Sequence, residues 1–317
     1  MSDRLARLSS PLLRSLVASG GFGLIAFWAS ENLFWAAPTD QTTVPDLALT
    51  ALAYSIAVAA ALGGVIWSGL GGWRALFLGG AILGWLSEGV LVSTAYDAFP
   101  FQMVWTPLAW HALITGLAVG GIGRAGPRWP LWRQLAALVA LGVFCGSFAQ
   151  FWPLERGAMP GFAAVAVYLI GVSLVVPAAN MVLDRIETPT TITWAYKIAW
   201  GLALLLWVVQ GLFAPSVVRL AVPLAIAITL WSMRRLARAD PQPSPARLPP
   251  APLWRHGLFL TAPLLTTIIA EIGWTGVGGI EVWPFALVLS VGGGGLWLWL
   301  VGRAVWLSAR RSRLPGT

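Results

Sequence analysis

Seven polar side chains lie within or beside long apolar runs of this chain: Glu31, Glu88, Asp97, His111, Gln150, Gln210 and Glu271. An ionised carboxylate or imidazolium in an apolar medium costs several kcal/mol unless it is paired, hydrated or neutralised. Acids and imidazoles that persist in such surroundings are the groups that take up and pass on protons. The amides of Gln150 and Gln210 cannot ionise but can donate and accept hydrogen bonds at the same site. These seven residues are the candidate substrate or proton site, and none is assigned as a catalytic residue.

An internal match strengthens the two glutamates. Displaced by 57 positions without a gap, Trp85-Leu-Ser87-Glu88 falls on Trp28-Ala-Ser30-Glu31, Asp97 falls on Asp40, and His111 falls on Tyr54. Gly23/Gly80, Ile25/Ile82, Ala61/Ala118, Gly63/Gly120 and Gly64/Gly121 are identical across the same offset. The pattern reads as a duplicated helical pair, an architecture that transporters often use.

The remaining reactive side chains point to no further chemistry. Glu88, Asp97 and His111 are metal-ligand types. The chain nevertheless has only two His and one Cys, with no Glu-x-x-His or His-x-x-x-His spacing, so no metal site is expected and no cofactor is indicated. Cys145 alone cannot form an intrachain disulfide and reads as a small core residue. Lys197 is the single lysine. Near the start of its span it is expected to snorkel to the interface, sharing charge with Asp184, Arg185 and Glu187. His256, next to Arg255, is expected to be solvated. Gly292 to Gly295 sit inside an apolar run, where small residues permit close helix packing rather than phosphate binding.

The elements that must position these groups are membrane helices. The chain of 317 residues is 58% hydrophobic and only 10% charged, against about 25% charged in soluble domains. The charges fall between apolar runs of about 20 residues, the length that crosses a bilayer as a helix. Ten spans are expected: Ser15–Ala37, Leu47–Leu70, Ala75–Ser93, Trp105–Gly123, Gln134–Trp152, Gly161–Leu183, Thr193–Phe213, Ser216–Met233, His256–Val277 and Val282–Val301. The first run carries Glu31 and lacks a clean small-residue cleavage site, so it reads as a retained span rather than a signal peptide. Residues 1–14 form a basic N-terminus and residues 302–317 a basic tail. Residues 234–255 separate spans 8 and 9, and their prolines predict an extended, solvated linker.

Charge orients the spans. With both termini cytoplasmic, nearly all cations fall inside, including Arg4, Arg14, Arg74, Arg124, Arg128, Arg133, Arg185, Arg255 and Arg313, while Arg156 and Arg219 fall outside. That is the positive-inside pattern. The net charge of +8 therefore reflects short loops between spans, not a nucleic-acid surface. The fold class is an all-α polytopic membrane protein of ten transmembrane helices, arranged as five helical hairpins with both termini in the cytoplasm. A bacterial-type cytoplasmic (inner) membrane is the expected location, and the lipid bilayer the expected partner. In this topology the polar groups on the odd helices fall at matched depth and are expected to converge on a chamber open to the outside.

Five hairpins, together with Glu31-Asn32-Leu33-Phe34 after a glycine-containing helix, resemble the tellurite-resistance and slow-anion-channel family. The resemblance implies a pore lined by the odd-numbered helices. Of the prolines that kink the pore helices in that family, Pro263 is the counterpart here. The expected function is a carrier or channel for a small solute, with an outward-facing acidic, proton-coupled site. Two rivals stand beside it. One is an intramembrane enzyme on a lipid or isoprenoid, with Glu31, Glu88, Asp97 and His111 as acid and base. The other is an assembly subunit, possible within an oligomer, in which the polar groups are interhelical glue.

Overall fold

A computed structural model describes residues 10–32 and 43–311. All regular structure among these residues is helical. Ten helices are long and apolar enough to span a membrane: α1 Pro11–Asn32, α2 Val44–Ser68, α3 Gly72–Leu91, α4 Gln102–Arg128, α5 Leu131–Arg156, α6 Phe162–Leu183, α7 Trp194–Phe213, α8 Val217–Ala239, α9 Leu253–Gly276 and α10 Trp283–Arg310. In lipid, backbone polar groups must be satisfied within the chain, and helices do this locally. The ends are capped by ordinary chemistry. Ser10 accepts from Leu13 N–H at the start of α1, Thr43 and Asp46 cap α2 reciprocally, and Gly69, at φ 71°, closes α2 in the left-handed region.

Four helices form the centre. α1 packs on α2 and α3 on α4, while α2 also packs on α3 and α1 on α4. The others surround them: α6 lies against α1, α7 against α2, α8 against α3, and α10 against α4 and α8. The main partner of α5 is α9, not its chain neighbour α6. α3 and α4 approach closely along several turns. A Cβ on Gly84 would lie 2.5 Å from Pro107 Cα, one on Gly80 would lie 2.7 Å from the His111 carbonyl oxygen, and one on Gly116 would lie 2.5 Å from the Leu76 carbonyl oxygen. Gly80 and Gly84 are one turn apart, the small-x-x-x-small pattern that lets membrane helices touch through their backbones.

Several helices outrun their apolar cores. α8 continues to Ala239 and α10 through Arg310, so Arg234, Arg235, Arg303 and Arg310 are helical rather than parts of a linker and a tail. At Arg235, Arg303 and Arg310 the extension is accompanied by a Trp four residues before the Arg. The guanidinium groups of Arg133, Arg156, Arg235, Arg303 and Arg310 each lie over the ring of the Trp four residues earlier, at 3.9–5.8 Å from its centroid. Such a stack covers the ring while keeping the charge toward water.

The proline segment is docked, not extended into solvent. Gly72 N–H donates to the Pro243 carbonyl at 2.9 Å. The Thr188 hydroxyl donates to the Ala246 carbonyl at 3.1 Å, and Arg247 donates back to the Thr188 carbonyl. Arg128 reaches the Pro249 carbonyl at 2.6 Å. At the start of α3, a Cβ on Gly71 would lie 1.9 Å from the Gln242 carbonyl oxygen, so the segment approaches where only glycine fits.

Asp184 holds this end together. One carboxylate oxygen accepts from Arg124 at 2.8 Å and Arg128 at 2.6 Å, while the other meets His256 Nε2 at 2.9 Å and Ala251 N–H at 3.1 Å. His256 is thus buried beneath the segment rather than solvated, with 2% of its surface exposed. Lys197 does not share this charge; its ammonium lies 4.7 Å from the Trp194 ring centroid. Burial opposes ionisation of Asp184, but the His256 hydrogen bond, the Arg124 charge, and the Arg128 and Ala251 hydrogen bonds outweigh it. Together they hold the carboxyl well below the usual carboxylate range.

Two outcomes follow for stability. Asp184→Ala strands buried cations and should cost about 3–5 kcal/mol, read as a lowered thermal midpoint in detergent and faster proteolysis within residues 240–252. Because the folded-state pKa is depressed, the Asp184 contribution is complete above about pH 4. It fades only as pH falls further, through the lower folded value, so the wild-type advantage should persist at pH 5 and shrink toward pH 2. Gly84→Ala, which drives a Cβ into the α4 backbone, should cost about 1–3 kcal/mol. Gly295→Ala, with open space around it, should be neutral or slightly stabilising by the same unfolding measurement.

Candidate functional site

Both glutamates sit on π-wound turns. α1 ends in a π turn over Trp28–Asn32, α3 ends in one over Ser87–Leu91, and α4 is π-wound throughout Trp105–Gly120. A π turn carries an extra residue and re-aims the side chains on it, and such turns are frequent at functional sites. Within α4, Pro107 lacks the N–H that a regular α turn would use. Two indoles fix the turns: Trp28 Nε1–H donates to Ser173 Oγ on α6 at 2.7 Å, and Trp110 Nε1–H donates to the Ala29 carbonyl at 3.3 Å.

The two copies of the sequence match make parallel contacts. Tyr54 Oη donates to Glu31 Oε1 at 2.8 Å. At the matching positions, His111 Nε2 lies 3.1 Å from Glu88 Oε1. The two pairs meet, because the rings of Tyr54 and His111 have centroids 6.2 Å apart. Backbone contacts repeat as well: a Cβ on Gly23 would strike Ser55, and one on Gly80 would strike Ala112, the matching position.

His111 is the centre of the cluster. Its side chain is 3% exposed and that of Glu88 14%. Ser30 Oγ lies 3.1 Å from His111 Nδ1 and 3.1 Å from Thr115 Oγ1. Glu88 also accepts from the Thr94 hydroxyl through its second oxygen. With Glu88 ionised, neutral His111 donates from Nε2–H to the carboxylate and accepts the Ser30 O–H at Nδ1. A proton arriving at Nδ1 makes an imidazolium that donates to Ser30 Oγ, whose own proton then turns to Thr115. The group can therefore hold one proton more or fewer without leaving a polar atom of His111 unpaired. The duplication is unequal in its hydroxyls: Ser87, the counterpart of Ser30, has a buried Oγ with no hydrogen bond among the described residues.

Not every predicted residue joins this cluster. Asp97 is exposed at the end of a turn, Thr94–Tyr96, and it is Thr94 that reaches Glu88. Gln150 ties α5 to α9, donating to the Gly146 and Ile269 carbonyls at 3.0 and 2.9 Å. Gln210 joins α7 to the end of α3, accepting from Ser93 and Arg219 at 2.8 Å each and donating to the Val90 carbonyl at 2.7 Å. Glu271 is half-buried on α9, which packs on α5 and α6. The odd helices therefore do not bring all seven groups to one chamber. α1 and α3 meet through residues of α2 and α4, whereas α5 and α9 form a separate pair. Asp40, and Leu33-Phe34 of the family resemblance, lie outside the described residues.

Tyr54, Ser30 and Thr115 were not among the predicted site residues. The signal for Tyr54 was present, because the 57-residue offset aligns it with His111. Ser30 was visible as part of the repeated Trp-x-Ser-Glu. Thr115 carries no sequence signal beyond being one π-wound turn from His111.

The pairing predicts unequal costs. Glu88→Ala leaves His111 without its carboxylate partner and should lower stability by about 1–3 kcal/mol. Glu88→Gln keeps an acceptor and should cost less. A double-mutant cycle of Glu88→Gln with His111→Gln, followed by thermal unfolding, should show a coupling of about 0.5–3 kcal/mol. Strict additivity would mean that the two groups do not interact.

No family model, curated protein or solved structure matches the chain.

Proposed function

We propose that the chain is a multi-pass membrane carrier for a small solute, in which the Glu88–His111 pair takes up and releases a proton. The observation that carries this reading is a buried imidazole whose two nitrogens have different partners, a carboxylate and a serine hydroxyl that itself meets a threonine. A proton-coupled carrier needs a site that exists in two states of different charge. Gain of a proton takes the Glu88–His111 pair from net negative to net neutral, which changes the cost of its burial by several kcal/mol. Glu31 with Tyr54 acts beside it as a fixed acceptor and hydroxyl rather than a second titrating pair of the same kind.

In this reading the helices cross the membrane as alternating up and down spans, with both termini and residues 240–252 in the cytoplasm of a bacterial-type inner membrane. The cations Arg74, Arg124, Arg128, Arg247 and Arg255 gather around the proline segment, consistent with a cytoplasmic face. The acid cluster then lies toward the outer ends of α1 and α3, as an outward-facing site requires. The most exposed helices, α7 and α10, are buried over only 17% and 22% of their apolar windows. Those faces meet lipid or, in an oligomer, a neighbouring subunit.

Proteoliposomes with an entrapped pH dye, challenged with a panel of small metabolites, test the proposal. Wild-type protein should move protons with one solute class, and Glu88→Gln and His111→Gln should each reduce that movement at least tenfold while inserting normally. Ser30→Ala should slow it less and shift its pH profile. Solute-dependent proton movement at wild-type rate in Glu88→Gln would refute the assignment. A reporter fused within residues 243–250 should read cytoplasmic, and one at Asp97 external.

A further inference from the structure

A partly open cavity of about 100 Å³ lies between α1, α2, α3 and α4, next to the acid cluster on the side of the proline segment. Its walls are aliphatic, including Ile25, Val58, Leu62 and Leu83, and the α3 and α4 sides are floored by glycines. Thr115 is the one polar residue of the lining, and its hydroxyl meets Ser30 of the His111 chain. The opposite wall is not a helix. It is Pro245 and Ala246 of the docked segment, where Ala246 is 3% exposed.

We infer that this cavity is a binding site for a small, uncharged, largely apolar molecule, and that Pro245–Ala246 is its lid. The volume sets the size class. A lined apolar void of about 150 Å³ takes benzene or xenon and stays dry, so the occupant is a molecule or molecular end of a few carbons. The chemistry of the walls sets the charge class. An ion placed here would lose its water and find one hydroxyl in exchange, at a cost of several kcal/mol. A terminal hydroxyl, carbonyl or ether on the occupant would face Thr115, the only place in the lining where a hydrogen bond is offered.

The anchoring of the lid supports its movement as a unit. One hydrogen bond, from the Thr188 hydroxyl, holds the lid at Ala246 itself; the others lie on either side of it, Gly72 N–H to Pro243 before it and, after it, the Arg247 guanidinium to Thr188, Arg128 to Pro249 and Ala251 to Asp184. Pro245 has no N–H to give to a helix or sheet. Releasing the Asp184 anchor frees the margin nearest α9, and the cavity opens toward the proline side. Only in calling the occupant a transported substrate does this inference rest on the carrier reading. Occupancy stands on the cavity itself, and the lid on the contacts of Pro245–Ala246.

The test uses full-length protein and separates the two readings. Crystals pressurised with xenon should show a xenon peak bounded by Ile25, Leu83 and Pro245. Ala61→Leu, which extends into the cavity, should remove it, with Ala26→Val as a milder filling variant. Absence of xenon there in wild-type crystals overturns the site. For the lid, Leu83→Cys in a Cys145→Ala background is exposed to methyl methanethiosulfonate and to its trimethylammonium analogue. The neutral reagent should react at least tenfold faster, and adding Asp184→Asn should accelerate it at least fivefold. Equal rates for the two reagents overturn the apolar class, and no acceleration overturns the lid. Glu88→Gln should leave xenon occupancy unchanged. Loss of proton coupling with xenon retained would therefore speak only to the carrier reading, and the reverse only to the cavity.

Discussion

The structure depends on how closely α3 and α4 approach. Water is absent in the bilayer core, so membrane helices associate through packing and hydrogen bonds rather than through a hydrophobic effect between them. Gly80, Gly84 and Gly116 remove the side chains that would hold these two backbones apart. Contact at Gly84 sets the His111 Cβ against α3, and the imidazole then lies within reach of Glu88, one turn further on. The carboxylate and the imidazole each carry a burial cost that the other offsets. A larger residue at Gly84 would separate them and leave both uncompensated, which is why backbone geometry and site chemistry are one constraint here.

The fold was legible where its determinants are local. Apolar runs of span length placed all ten helices, because burying a polar side chain in lipid is costly at any position of a span. Helix ends were less legible. Arg235, Arg303 and Arg310 look like loop residues by charge, yet each stacks on a Trp one turn earlier and stays helical. The Trp-x-x-x-Arg spacing was in the sequence, but its reading requires that a helix be assumed first. The proline segment misled for a related reason. Proline density forbids a helix, and that part of the expectation fits residues 240–252; it says nothing about whether an extended strand of chain finds carbonyl partners. Gly72, Thr188 and Arg128 supply those partners, while Asp184 accepts the Ala251 N–H and depends in turn on Arg124, Arg128 and His256, which lie 56 to 72 residues away.

The site was legible through repetition rather than through a motif. Glu88 and His111 stood out as rare polar residues, and the 57-residue offset linked them to Glu31 and Tyr54. The offset could not tell which groups share a site, because that depends on which helices neighbour one another. Equal depth suggested that Gln150 and Glu271 belong with the glutamates. The pairing of α5 with α9 takes them elsewhere, and Gln150 spends its amide on the α9 backbone. Nor does spacing reveal the π turns, which carry both glutamates and His111. The two matched segments also differ in partner: one pairs its acid with a tyrosine hydroxyl, the other with a histidine imidazole.

The indole–guanidinium stacks carry a mechanical consequence. Each couples a ring favoured at the headgroup level to a charge that must stay wet, and stacks on α5, α8 and α10 occur at helix ends. A helix anchored in this way cannot slide along the membrane normal without dragging an indole into hydrocarbon or a cation out of water. In a bilayer these stacks would fix the depth of the helix ends that carry them. Where a bilayer is thicker or thinner than that depth requires, lipid deformation and tilt about the anchored ends would share the mismatch.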